Sequence, residues 1–173
     1  MSTSVITLRP FVLQDAGAFT AAVNQSLNSL LPWMVWAHHD YRVEEATNWI
    51  NFTHMQRSNG EAEEFAIVDS NDRLLGGAGI RFAQRLGEFS ALGYWVRSDA
   101  QRQGVATRAV AQLVDFGFKH AQIPLLEIIA AEENHASRAV ALRSGFEFID
   151  CRYGLIILDS GPVNSAIYHL KRP

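Results

Sequence analysis

The sequence predicts an α/β fold, a mixed central sheet of about seven strands flanked by about four helices. Three observations carry that prediction. Short apolar runs of strand character alternate with helix-periodic segments along the whole chain. With 173 residues, 48% of them hydrophobic and 19% charged, the chain is long and apolar enough to bury one substantial core, so residues 1–173 are read as a single domain. Residues 94–118, YWVRSDAQRQGVATRAVAQLVDFGF, pass from an apolar strand through a polar loop into an amphipathic helix.

In chain order, Val5 to Leu8 reads as a first strand, closed by Pro10, which cannot continue a central ladder. Asp15 can cap a helix in which Ala18, Phe19, Ala22 and Val23 recur at helical spacing. The segment LNSLLPWMVWAHHDY is aromatic and broken by Pro32, and reads as a loop. A second helix is expected from about Val43 to Arg57, with Ala46, Trp49, Ile50 and Thr53 on one face and Glu44 and Glu45 near its positive end. FAIV and LLGGAGIRF then flank the turn DSNDR as a hairpin over residues 64–82, in which Gly76, Gly77 and Gly79 mark a strand irregularity. After the strand FSALGYWV and the helix of residues 104–120, LLEIIAA reads as a buried parallel strand. A helix near residues 136–144 stops at Gly145, and strands around 146–158 and 163–171, separated by DSGP, close the chain.

Several functions are disfavoured at once. A net charge of −3, with scattered Lys and Arg, gives no footprint for nucleic acid. The opening MSTSVITLRP lacks a charged region followed by a long apolar run, and no stretch of about 18 apolar residues occurs, so no membrane association is expected and the protein is read as cytoplasmic. Cys151 is the only cysteine and is read as a packed strand residue. His38 and His39 are read as loop histidines, and no metal-ligand spacing appears elsewhere, so no metal is expected. No P-loop run exists, and Gly76, Gly77 and Gly79 lack the third glycine of a dinucleotide fingerprint.

The chemistry concentrates at the strand-to-helix junction. Gly104 lets the backbone turn sharply and approach a ligand, and Ala106 keeps the next position nearly as open. The first N–H groups of the helix have no intrahelical partner and lie at the positive end of its dipole, which makes an anion site suited to a pyrophosphate.

Gln101, two spacers, Gly104, one spacer and Ala106, followed by Asn134, two spacers, Ser137 and the pair Gly145–Phe146, resemble the motifs of the GNAT superfamily of N-acetyltransferases. Within it, ITLRPFVLQDA, LLPWMVWAHHDYRVEEATNWI, ALGYWV, QRQGVAT and NHASRAVALRSGFEFI are most similar to the ribosomal-protein N-terminal acetyltransferases of the RimL/RimJ group. The resemblance implies acetyl-CoA as co-substrate and direct attack of a neutral amine on its thioester. Relatives acetylate protein α-amines or small amines and occur as monomers or homodimers, and these residues do not choose between the states.

On that basis the N–H groups of Arg102, Gln103, Gly104, Val105, Ala106 and Thr107 are expected to hold the pyrophosphate, with added charge from Arg102 and a hydroxyl from Thr107. Trp95 and Val96, at the strand end, are expected beside the pantetheine arm, where the Val96 N–H can polarise the thioester carbonyl. Asn134 suits an amide-bearing ligand and Ser137 can reach the sulfur, although both can equally cap the following helix. Among the acids Glu88, Glu127 and Asp150, Glu127 is singled out as a candidate base, because a charge inside an apolar strand needs a partner or a function. Several relatives carry an acid shortly after the Gly-Phe pair, where this chain has Phe148, Ile149 and Asp150. Trp33, Trp36, Tyr41 and Tyr153 are expected to build the acceptor pocket, with covering of the core as the competing role. An α-amine of pKa about 7.7–8.0 is roughly a tenth neutral at pH 7, so weak evidence for a base favours that acceptor over lysine. A small-amine acetyltransferase and a non-catalytic acyl-CoA sensor are the alternatives.

Overall fold

The computed structural model describes residues 5–120 and 122–173; Met1–Ser4, part of the opening stretch read above, and Ala121 lie outside the described residues. The described elements are β1 (Ile6–Pro10), α1 (Ala16–Gln25), α2 (Leu27–Leu30), α3 (Val43–Ser58), β2 (Ala62–Asp69), β3 (Leu74–Arg81), β4 (Ser90–Val96), α4 (Val105–His120), β5 (Leu125–Ala131), α5 (His135–Arg143), β6 (Glu147–Leu158) and β7 (Gly161–Lys171). The seven strands form one sheet in the order β1-β2-β3-β4-β5-β7-β6. The fold is the mixed single-domain α/β arrangement that the sequence predicts, with the short α2 added inside the Pro-broken segment.

Strand β1 is an edge strand, which is why Pro10 can be its last residue. The β2–β3 turn is held by Asp69, whose carboxylate accepts from the N–H groups of Asn71 and Arg73, both at 2.9 Å. The irregularity expected at the glycines of β3 falls at their start: Ile67 pairs with Gly76 and Val68 with Leu74, so Leu75 is the extra residue of β3, and Gly77 and Gly79 follow in regular register. Cys151 departs from expectation: it is exposed rather than packed, because β6 is the other edge of the sheet and most of its residues stay open to solvent.

Two apolar layers sandwich the sheet. Beneath α4, the buried Val105, Ala109, Val110 and Leu113 pack on Ile67, Ile80, Leu92, Leu126 and Tyr168. On the opposite face, α1 and α3 enclose Phe11, Phe19, Val23, Ile50 and Ala66. The feature that positions a site is the pairing of β4 with β5. Among the described residues it is the only parallel pairing of the sheet and is confined to Ser90–Leu126 and Ala91–Glu127, so beyond Ala91 the two strands separate and open a cleft.

Candidate active site

Backbone geometry makes the cleft receptive. The Arg97 N–H donates to Leu75 O at 2.7 Å, so in the antiparallel alternation the polar groups of Val96 and Tyr94 point away from β3, toward the cleft. The Val96 carbonyl accepts from the Gln101 side chain at 3.1 Å, which leaves the N–H as the group aimed into the opening. Past Val96 the chain turns through Arg102, with φ of 59°, and Gly104, with φ of 74°, into α4. Arg108 N–H donates to Gly104 O, so the N–H groups just before it are the unpaired ones of the helix start. A groove of about 480 Å³ runs over this turn, lined by Arg102, Gly104, Val105, Ala106 and Thr107 on one side and by Asn134, Ser137 and Arg143 on the other. Gln103 is not among its lining residues: its side chain donates to Asp99 O and its carbonyl accepts from Arg108, fixing the turn.

The groove leads to a hydroxyl pair. The Tyr94 hydroxyl donates to the Ser137 carbonyl at 3.0 Å and lies 3.1 Å from Ser137 Oγ. Burial pushes the Tyr94 hydroxyl up to about 12, so it stays protonated. Asn134 caps α5, its side-chain oxygen accepting from the Ser137 N–H at 3.3 Å, while the residue still lines the groove.

Across Tyr94 lies a second cavity of about 580 Å³, lined by Trp33, Trp36, Tyr41, Trp49 and Trp95. Phe19 centres the aromatic cluster, with ring centroids 5.4 Å from Trp95, 6.0 Å from Tyr41 and 6.1 Å from Trp36. Tyr41 is 6% exposed and Trp36 is 37% exposed, so the cluster both closes the core and presents rings to the cavity. Trp95 lines both cavities: its ring belongs to the aromatic wall and its backbone to the cleft edge. Tyr153 is 72% exposed on β6 and lies outside both linings, where Ile156 and Leu158 stand instead.

A carboxylate that sequence reading passed over lies on the cavity floor. Glu64 on β2 faces Gly79, which faces Gly93 on β4, so the floor carries no side chain at either glycine. A Cβ at Gly79 would fall 2.0 Å from Glu64 Oε2, so the glycine is what allows the carboxylate to lie across the strand. A Cβ at Gly93 would meet nothing within 4 Å, and that space is the cavity. Burial pushes the Glu64 carboxyl up to about 7, partly opposed by Arg81. By contrast, Glu127 is paired with His169 at 2.7 Å and does not line the cavity. Asp150 is exposed and paired with Arg152 at 3.0 Å. Glu45, the other acid of the lining, is engaged by His38 at 2.6 Å and by the Arg42 N–H at 2.8 Å.

The description of an acetyltransferase (GNAT) domain matches residues 6–147. The chain belongs to the GNAT acetyltransferase family. It is 25% identical over 175 residues to YdaF of Bacillus subtilis (strain 168), named provisionally as a ribosomal N-acetyltransferase, covering 96% of this chain and 92% of that one. It is 26% identical over 129 residues to the ribosomal-protein-serine acetyltransferase of Escherichia coli (strain K12), covering 75% and 68%. Among solved structures, the microcin C7 self-immunity acetyltransferase MccE, in complex with acetyl-CoA and AMP, superposes with a TM-score of 0.88 at 21% identity over 99% of this chain and 98% of that one. The chain is thus an acetyltransferase of GNAT type, and its groove lies where residues 101–107 and 134–137 converge.

Two parts of this GNAT site escaped sequence reading. Tyr94 was visible as a strand residue, but its contact with Ser137 spans 43 positions of sequence. For Glu64 the signal was faint: it ends the acidic run EAEE just before the apolar FAIV, and only the pairing with the glycine-rich β3 shows the room left for its side chain.

Proposed function

We propose that this GNAT enzyme transfers the acetyl group of acetyl-CoA to the α-amine at a protein N-terminus in the cytoplasm. The observation that carries the reading is the meeting of two cavities at Tyr94, Asn134 and Ser137, one edged by a helix start with unpaired N–H groups and the other by aromatic rings. In this reading the N–H groups of the turn at Arg102–Thr107 hold the pyrophosphate, with Arg102 and Arg143 adding charge. The Val96 N–H polarises the thioester carbonyl and stabilises the oxyanion. The Ser137 hydroxyl, beside the neutral Tyr94 phenol, protonates the departing sulfur. Trp33, Trp36 and Tyr41 flank the acceptor amine. The ribosomal-protein names of the curated relatives support the choice of acceptor.

Thiol release from acetyl-CoA by the full chain, assayed against N-terminal peptides, lysine peptides, amino acids, polyamines and aminoglycosides, tests it. Turnover of N-terminal peptides above all others is the expected result. Turnover of a small amine alone overturns the protein acceptor and leaves acetyl transfer standing. Tight acetyl-CoA binding without turnover of any amine points to a sensor.

A further inference from the structure

We infer that Glu64 receives the acceptor's ammonium group and takes its proton, and that the acceptor carries a single positive charge on an apolar body. This rests on the acetyl-transfer reading and adds the residue and substrate class that it lacks. The placement argues for it first. The Glu64 carboxylate lies over Gly79 on a floor continued by the bare Gly93, one residue before Tyr94, whose hydroxyl meets Ser137 where the two cavities join. It is half-buried, and no hydrogen bond or ion pair engages either of its oxygens among the described residues, while they keep access to the cavity. A buried carboxylate without a partner is costly, and a cationic ligand is the partner the cavity admits.

The surrounding charges leave this role to Glu64 alone. From β3, Arg81 acts on it through charge only. At the end of α3, Arg57 is engaged by the Glu63 carboxylate and by the Glu64 backbone carbonyl. His54, earlier on α3, bonds the Phe11 carbonyl at 2.7 Å. Glu45 is held by His38 and the Arg42 N–H, and Tyr41 is pushed up to about 12 by burial. The facing positions of β4 are Gly93 and Trp95, neither of which titrates. One available carboxylate among aromatic walls matches one ammonium and its apolar neighbour, and offers nothing to the further charges of a polyamine or aminoglycoside.

The protons balance. R–NH3⁺ passes one proton to the Glu64 carboxylate, and the neutral nitrogen forms a bond to the thioester carbonyl carbon as the C–S bond breaks. The second nitrogen proton offsets the one gained by the sulfur, and Glu64 returns its proton to solvent. A group that titrates near neutrality is matched to an α-amine of pKa about 7.7–8.0, whereas a lysine amine near 10.4 would yield its proton far less readily.

The test combines kinetics and binding with the full chain. For the best amine of the panel, Glu64→Gln is expected to lower kcat/KM about a hundredfold near neutrality and to abolish the acidic limb of the pH profile, while acetyl-CoA affinity stays within about twofold. An unchanged rate and limb would overturn the base. Preference for spermidine over a monoamine would overturn the substrate class. Binding of phenethylammonium, followed by tryptophan fluorescence, needs no turnover: at least a tenfold loss of affinity in Glu64→Gln supports the ammonium site, and equal affinity overturns it. Should the wild type release no thiol, the acetyl-transfer reading fails by itself, and the phenethylammonium result still decides for or against Glu64.

Discussion

The two cavities that meet at Tyr94 are built in opposite ways. The groove beside α4 comes from three contiguous stretches, Asn28 to Met34, Tyr94 to Thr107 and Asn134 to Arg143. The aromatic cavity draws on Phe11, Trp36, Glu64, Trp95 and Ile156, which lie on five different segments of the chain. On the proposed reading, the difference teaches that the common co-substrate would be gripped by local backbone geometry, whereas the acceptor would be selected by side chains that only the sheet brings together. Substitutions on the groove side should therefore act on every acceptor alike, and those on the aromatic side should leave acetyl-CoA binding untouched.

The largest effect is expected at Gly104. Its φ of 74° is strained for any residue with a Cβ, and an added Cβ would stand 3.0 Å from the Arg108 guanidinium. Gly104→Val should weaken acetyl-CoA binding about a hundredfold or more, close to 2.7 kcal/mol, as measured by titration calorimetry. Unchanged affinity would remove the turn from the site.

The second prediction concerns stability at Glu64. Its carboxyl titrates near 7 when folded, against an ordinary value of 4.5. Below the ordinary value both states hold the proton and nothing changes. Between the two values the folded state keeps a proton that the unfolded chain has released, so stability falls as pH rises through that window, and the full cost remains above it. Glu64→Gln should therefore raise the denaturation free energy by about 2 kcal/mol at pH 8 and by little at pH 4. Equal melting shifts at both pH values would show that the carboxylate is partnered in solution.

The same contrast explains what the sequence made legible. The succession of strands and helices along the chain, the glycine turn into α4 and the capping Asn134 all follow from neighbours within about four residues, where period and turn chemistry operate. Glu64 could be placed only by knowing that Gly79 and Gly93 lie beside it in register, and Tyr94 only by knowing that α5 folds back over β4. Glu127 drew notice for the right physical reason, an acid in an apolar strand, but the partner that reason demanded was His169, 42 positions away. Tyr153 was expected at the acceptor pocket because it is aromatic, yet β6 is an edge strand and presents it to solvent.

Trp36 probes the aromatic side with an intermediate effect. Its ring lies 5.7 Å from Trp95 and 6.1 Å from Tyr41, and it is partly open to the cavity. Trp36→Ala should raise the acceptor KM roughly tenfold, about 1.4 kcal/mol, with acetyl-CoA affinity unchanged. If both constants moved together, the ring would be acting on the fold and the division between the cavities would fail.

Glu127 supplies the smallest effect and the sharpest control on Glu64, since the two acids occupy the same face of the same sheet: Glu64 aligns with Gly79 and Gly93, and Glu127 with Ala91, two residues along the same strand as Gly93. One carboxylate is engaged by a histidine at 2.7 Å and the other, among the described residues, by no hydrogen bond or ion pair. Removing the charge at Glu127 weakens a half-buried pair, which should cost about 1 kcal/mol of stability and leave kcat/KM within about twofold. Glu64→Gln should do the reverse, gaining stability and losing turnover. Opposite signs in both measurements would mean that a missing partner, rather than burial in an apolar strand, separates the acid that does chemistry from the acid that holds the sheet. A hundredfold loss of turnover in Glu127→Gln would reverse that assignment and return Glu127 to the reaction.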